Sequence, residues 1–292
     1  MSDLTIVRGE RTLAQHILGF FGKTFINVLL VIIAVMWLVP SFGLFITSLR
    51  PIGESTSSGW WSAITRPAQL TWENYAALLE NSAITGSLLN TVLIVVPSTL
   101  LVVFFGALAG YAFAWMDFPG RDWMLVGVIV LLAVPLQVAL IPVARMYGAL
   151  GIFGSLGGVI AFHVAFGLPF AIFLLRNFFT QIPGEVLEAA RVDGASEWRI
   201  FARIVLPLGG PAIASLAIFQ FLWTWNDLLI GLIFTTAETQ PITVAIQSQL
   251  RQFGSNIDVL SAGAFLSMIV PLIVFFAFQR YFVQALLAGS QK

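Results

Sequence analysis

The chain has 292 residues, 59% of them hydrophobic and only 10% charged, with 26 Phe and 9 Trp; its mean hydropathy is +0.94. That composition excludes an ordinary soluble domain and leaves helices long enough to cross a bilayer, whose core of about 30 Å takes roughly 20 residues at 1.5 Å each. A formal net charge of zero gives no pull toward nucleic acid, and the lack of cysteine excludes disulfides, thiolate nucleophiles and cysteine-held metals.

Six apolar stretches, at 25–49, 88–115, 123–143, 155–175, 211–234 and 262–283, predict an all-α membrane protein of six transmembrane helices. The first is too long for the apolar part of a signal peptide and lacks a closing cleavage pattern, so it is expected as a retained helix. Just before it, "GKT" at 22–24 has the ending of a phosphate-binding loop. The Gly that such a loop needs five positions before Gly22 is Ile17, so the chain has no phosphate-binding loop of its own. Residues 50–87 are rich in turn formers and become amphipathic at 72–79. In the third stretch Gln137 stands between Pro135 and Pro142, which predicts a kink, either a hinge or a packing irregularity. The fourth carries His163, one of two histidines, too few for a histidine metal site; a hydrogen bond to a neighbouring helix is the simple role and a functional one the alternative.

In the fifth stretch Gln220, Thr224 and Asp227 fall at i, i+4 and i+7 on one helical face, with Trp223 on the same side and Asn226 adjoining. Asp227 is the only acid well inside a predicted span, and charge inside a membrane is costly enough to point to function. Aromatic rings beside hydrogen-bonding groups suit a sugar pathway, whose ligand has apolar faces and polar edges; packing against a partner is the competing reading. Residues 235–261 form a second polar connection. With both termini on one side, that side holds ten of the 14 basic residues (Arg8, Arg11, Lys23, Arg121, Arg176, Arg191, Arg199, Arg203, Arg280, Lys292), against Arg50, Arg66, Arg145 and Arg251. The excess of basic residues places both termini in the cytoplasm.

The one long cytoplasmic connection, 181–208, is charged and helix-like. Pro183 suits a first helical turn, and Gly194 suits a left-handed helix end. Ser196 then fits the cap of a second helix, on which Trp198, Phe201 and Val205 recur as an apolar face, and Pro207 marks where this helix gives way to the next span. Ala189 and Ala190 would let another protein approach closely, and Glu188 offers charge to a basic partner; a helix pair lying on lipid as a passive anchor explains the pattern equally well.

The run "EAARVDGASEWRIFARIVLPL" closely resembles the EAA motif of permease subunits of bacterial ABC importers. The likeness extends over nearly the whole chain, through "WTWNDLL" in the fifth stretch and the ending "QRYFVQALLAGSQK", and is similar to the shorter permease of maltose- and α-glucoside-type carbohydrate importers. It implies a cytoplasmic N-terminal segment 1–24, a six-span permease domain 25–283 and a cytoplasmic tail 284–292 in the bacterial inner membrane. It implies, too, that the 181–208 loop couples to a separate ATPase: Glu188 would meet a basic residue, Ala189 and Ala190 would pack closely, Asp193 would hold the turn, Gly194 would make it, and Ala195 and Pro207 complete the pattern. Its partners would be a second permease, two ATPase subunits and an extracytoplasmic sugar-binding protein. This chain would bind no cofactor, ATP and Mg being used by the ATPase. In maltose-type systems the other permease holds most of the sugar, which weakens the pathway reading of Gln220, Trp223, Thr224, Asn226 and Asp227. The tail "LLAGSQK" is shorter than the family's, so a tail contact with the ATPase does not carry over. The rival is a self-sufficient secondary transporter, for which further intramembrane carboxylates would be expected.

Overall fold

The computed structural model describes residues 13–252 and 257–290. Arg8, Arg11 and Lys292 of the charge count, and the last two residues of the expected tail, lie outside them. Helix α1 (Leu13–Ser48) leads into a cap of short elements: α2 (Ile52–Ser57), α3 (Ser62–Thr65), a 3-10 turn (Pro67–Gln69) and α4 (Glu73–Glu80). Next come α5 (Ser82–Trp115), α6 (Arg121–Leu132), α7 (Leu136–Leu150) and α8 (Leu156–Phe179). The charged loop forms α9 (Gly184–Val192), α10 (Glu197–Ile200), a π turn (Phe201–Val205) and α11 (Leu206–Leu208), followed by α12 (Gly210–Trp225), α13 (Leu229–Phe234), α14 (Ile242–Gln252) and α15 (Ile257–Ser290).

Helices α1, α5, α8 and α15 each hold an uninterrupted apolar window long enough to cross a bilayer. Two further spans are not straight. The third apolar stretch bends by 101° between α6 and α7, where Pro135 forces its predecessor out of helical geometry; Pro142, by contrast, sits inside an unbroken α7. The fifth stretch, expected as one helix over 211–234, is two: α12 closes at Trp225, and α13 starts afresh at Leu229. The polar side chains that made this stretch distinctive also break it. Asn226 donates from its amide to the Leu222 carbonyl at 2.8 Å, and Asp227 accepts from the Ile230 and Gly231 amides at 3.0 and 3.2 Å.

Helices α5 and α8 pack most intimately. Gly106 and Gly110, four apart on α5, face Ala171 and Leu175 of α8, and a Cβ built on Gly106 would lie 2.6 Å from that of Ala171. Small residues at this spacing let helix backbones approach inside a membrane, where the hydrophobic effect does not drive helices together. One buried cluster joins this crossing to the charged loop through Tyr111, Phe179, Leu187, Ile200, Phe201, Val205 and Leu216. A second lies toward the opposite end, around Ile94, Val159, Phe162, Ile230 and Phe234.

At that opposite end Arg50, 1% exposed, donates to Gln69 Oε1, to the Ser58 and Glu54 carbonyls and to the Ser58 and Ser62 hydroxyls. One guanidinium thus gathers the whole 50–69 cap. The apolar side chains of α1 from Phe25 to Val39 point outward, as a lipid-facing helix requires.

Candidate functional site: the charged loop and the broken fifth span

Helix α9 is closed by its glycine. Gly194 takes φ +81°, its amide donates to the Arg191 carbonyl at 3.0 Å, and the Ala195 amide reaches back to the Ala190 carbonyl at 2.9 Å. This pair of bonds is the Schellman closure, which satisfies carbonyls that a helix end would otherwise leave bare. Ala190 and Ala195 both pack against the chain's own core, as that closure favours. Of the two alanines expected to face a partner, then, Ala189 is exposed and Ala190 is half-buried inward. Glu188, Asp193 and Gly194 are exposed, as is Pro207 beyond the second helix. Among the described residues the Asp193 side chain makes no hydrogen bond, so it does not hold the turn; Ser196 occupies the cap position of α10 without a side-chain cap bond. The buried face of the second helix is Ile200, Phe201 and Val205, while Trp198 is 62% exposed. The π turn precedes Pro207, which has no amide to donate; the wider turn lets the chain pass the proline ring and bend by 76° at Gly209 into α12.

Three residues before and three after the glycine, Arg191 and Glu197 close a bridge across the turn, Nε to Oε1 at 2.8 Å. Tyr111 of α5 donates its hydroxyl to Glu197 Oε2. Arg191 also donates to the Trp115 carbonyl at 3.2 Å, and the Trp115 indole to the Phe179 carbonyl at 2.8 Å. Hydrogen bonds from Arg191 first, and from Tyr111 second, hold the Glu197 carboxyl below the usual range. No sequence pattern announces the long-range partners Tyr111 and Trp115; the opposite charges placed symmetrically about Gly194 were the one available signal.

The predicted polar stripe of the fifth span divides. Gln220 and Thr224 are buried on α12 and hydrogen-bonded, Nε2 to Oγ1 at 3.1 Å. Asp227 lies in the break beyond the helix end, with its carboxylate 4.0 Å from His163 Nε2. Asn226 is exposed. His163 is fully buried on α8 and meets the Trp223 ring edge-on at a centroid distance of 5.5 Å. Trp223 and Gln220 in turn line a groove of about 290 Å³ with Phe166, Gly167, Phe170 and Phe219. Aromatic surface beside an amide is therefore present, but Asp227 serves as a cap for α13.

Residues 102–287 match the family described as binding-protein-dependent transport system inner membrane component. The chain is 47% identical over 278 residues to an osmoprotective compounds uptake permease protein of Synechocystis sp., a match covering 94% of this chain and 93% of that protein. It is 48% identical over 235 residues to an alpha-glucoside transport system permease protein of Rhizobium meliloti, covering 78% of this chain and 62% of that one. In fold it is similar, at TM-score 0.77 and 22% identity, to a chain of a bacterial ABC transporter involved in the import of alginate, over 94% of this chain and 99% of that one. The chain belongs to the binding-protein-dependent transport system inner membrane components, and is a multi-pass, non-catalytic permease subunit of an ABC importer.

Proposed function

We propose that this chain forms half of the translocation pathway of a carbohydrate importer and takes its power stroke from a separate ATPase seated on α9 and α10. The observation that carries this reading is the way α9 divides its faces. Leu187 is buried and Ala190 half-buried against the chain's own helices, while Glu185, Glu188, Ala189 and Asp193 are exposed and Val192 is 88% exposed. A lipid anchor does the reverse: it sinks its apolar face into the membrane and shows basic residues to anionic headgroups. The outward face of α9 is acidic, with Arg191 engaged by Glu197, while Arg199 and Arg203 stand exposed on the second helix. It fits a basic protein cleft, with Glu188, Ala189, Asp193 and Gly194 as the docking residues.

In this account both termini are cytoplasmic, residues 25–283 form the permease domain, and the second permease completes the pathway. The ATPase pair binds ATP and Mg, and an extracytoplasmic binding protein delivers the solute. ATP closure of the ATPases favours one orientation of the spans, a shift of population between inward- and outward-facing states. Gln220, Thr224 and Trp223, beside the aromatic groove, are the pathway residues of this chain; Asn226 and Asp227 shape the break. The α-glucoside relative favours an α-glucoside such as maltose or trehalose, and the osmoprotectant relative widens the panel to be tested. The test is uptake by cells that carry the whole importer. The account predicts uptake abolished by Glu188→Lys together with loss of the ATPase from the purified complex. Uptake driven by an ion gradient in the absence of any ATPase would refute it and favour a secondary transporter.

A further inference from the structure

Helices α8 and α12 are joined covalently to the charged loop, by residues 180–183 and by the π turn and α11. Helix α5 is not. It meets α9 and α10 through apolar packing, where Leu187, Ile200 and Phe201 share a cluster with Ala107 and Tyr111, and through one polar network. Apolar contact is non-directional and lets surfaces slide; hydrogen bonds between fixed groups do not.

We infer that Tyr111, Glu197 and Arg191 are positioning residues that lock α5 to the coupling pair, so that α5 moves with it as one body. The geometry spans both sides of the joint. Arg191 uses its fork on both Glu197 oxygens, at 2.8 and 3.3 Å, and on the carbonyl at the end of α5, at 3.2 Å. Tyr111, 3% exposed on α5, donates to the same carboxylate and lays its ring 5.4 Å from that of Phe201. The Trp115 indole then ties α5 to the last turn of α8. As an isolated surface pair, Arg191–Glu197 would contribute little. Its weight comes from the two bonds into α5, since linked polar groups hold one another in place. Without the network, the push delivered at Gly194 would reach α8 and α12 through the chain while α5 could lag.

The proposal rests on α9 and α10 being the ATPase docking site, and its test separates the two. The chain has no cysteine, so Val186→Cys and Phe104→Cys, at positions 43% and 51% exposed and outside the named docking residues, carry spin labels on the coupling pair and on α5. Pulsed electron–electron distances are recorded on the full importer, without nucleotide and with ATP and vanadate. The proposal predicts the same distance in both states for the otherwise native chain. In Tyr111→Phe, which keeps the ring, and in Glu197→Ala, it predicts a change of about 2 Å or more between states, the scale of helix shifts at moving interfaces. Glu197→Gln, which keeps one acceptor oxygen and turns the other into an amide donor, should give a change between those of the native chain and Glu197→Ala. A native distance that changes with nucleotide, or variants that behave as the native chain does, would overturn the strut. Retention of the full ATPase complement by Glu188→Lys would instead overturn the docking assignment.

Discussion

Replacing Gly194 by Ala isolates a single physical cost. A Cβ at this position meets nothing within 4 Å, yet the backbone holds φ +81°, a conformation that costs a residue with a side chain about 1–2 kcal/mol. Ala regains ~0.4–1 kcal/mol by stiffening the unfolded chain. The net is ~1 kcal/mol, or about fivefold in the ratio of closed to open turn. Since the turn sets the angle between α9 and α10, the affinity of the solubilised permease for its ATPase should fall, by up to about fivefold, as read by titration of a labelled ATPase. Asn tolerates the left-handed region better than Ala, so Gly194→Asn should bind more tightly than Gly194→Ala. Gly148→Ala, in the α7 interior with open space around it, should match the native chain. If Asn is as damaging as Ala or worse, the cost comes from bulk against the partner surface and the backbone argument fails.

Gly106→Leu should loosen the α5–α8 crossing, because its Cβ begins 2.6 Å from the Ala171 Cβ; overpacking of ~1–3 kcal/mol predicts a lower melting temperature in detergent, whereas Gly127→Ala, with nothing within 4 Å, should not lower it. Asp227→Ala removes the acceptor of two α13 amides and should cost ~0.5–2 kcal/mol in thermal unfolding, with Asn recovering most of it. Glu197 has a lowered pKa in the fold, so its stabilising effect is complete above the ordinary carboxylate value of about 4.3 and is lost as pH falls through the lowered one. Acid unfolding curves of the native chain and Glu197→Gln should therefore converge at low pH and separate above it. Arg50→Met removes the donor that five acceptors of the cap share and should speed limited proteolysis within 51–69 without changing the melting of the spans.

Much of the architecture was legible because the bilayer dictates it: a stretch such as 88–115 has no alternative to a helix. Gly194 was equally readable, since its left-handed role depends only on neighbours in sequence. Misreadings arose where polar side chains compete with the helix. Spacing puts Asp227 on one helical face with Gln220 and Thr224, with Asn226 adjoining, but Asn226 bonds to the backbone at the end of α12 and Asp227 to the backbone that starts α13. Spacing puts Trp198 on the apolar face with Phe201 and Val205; those two turn inward together with Ile200, whereas Trp198 stays 62% exposed. The Tyr111–Glu197 bond, the His163–Asp227 approach and the burial of Arg50 depend on which helices meet, which periodicity does not encode.

The central claim, that the charged loop seats an ATPase rather than resting on lipid, is tested most directly by Ala189→Cys, the sole thiol in the chain, carrying a photoreactive group in native membranes. The account predicts a single cross-linked protein that binds ATP, lost in Glu188→Lys. Labelling of lipid alone, or a cross-link indifferent to that charge reversal, would contradict it.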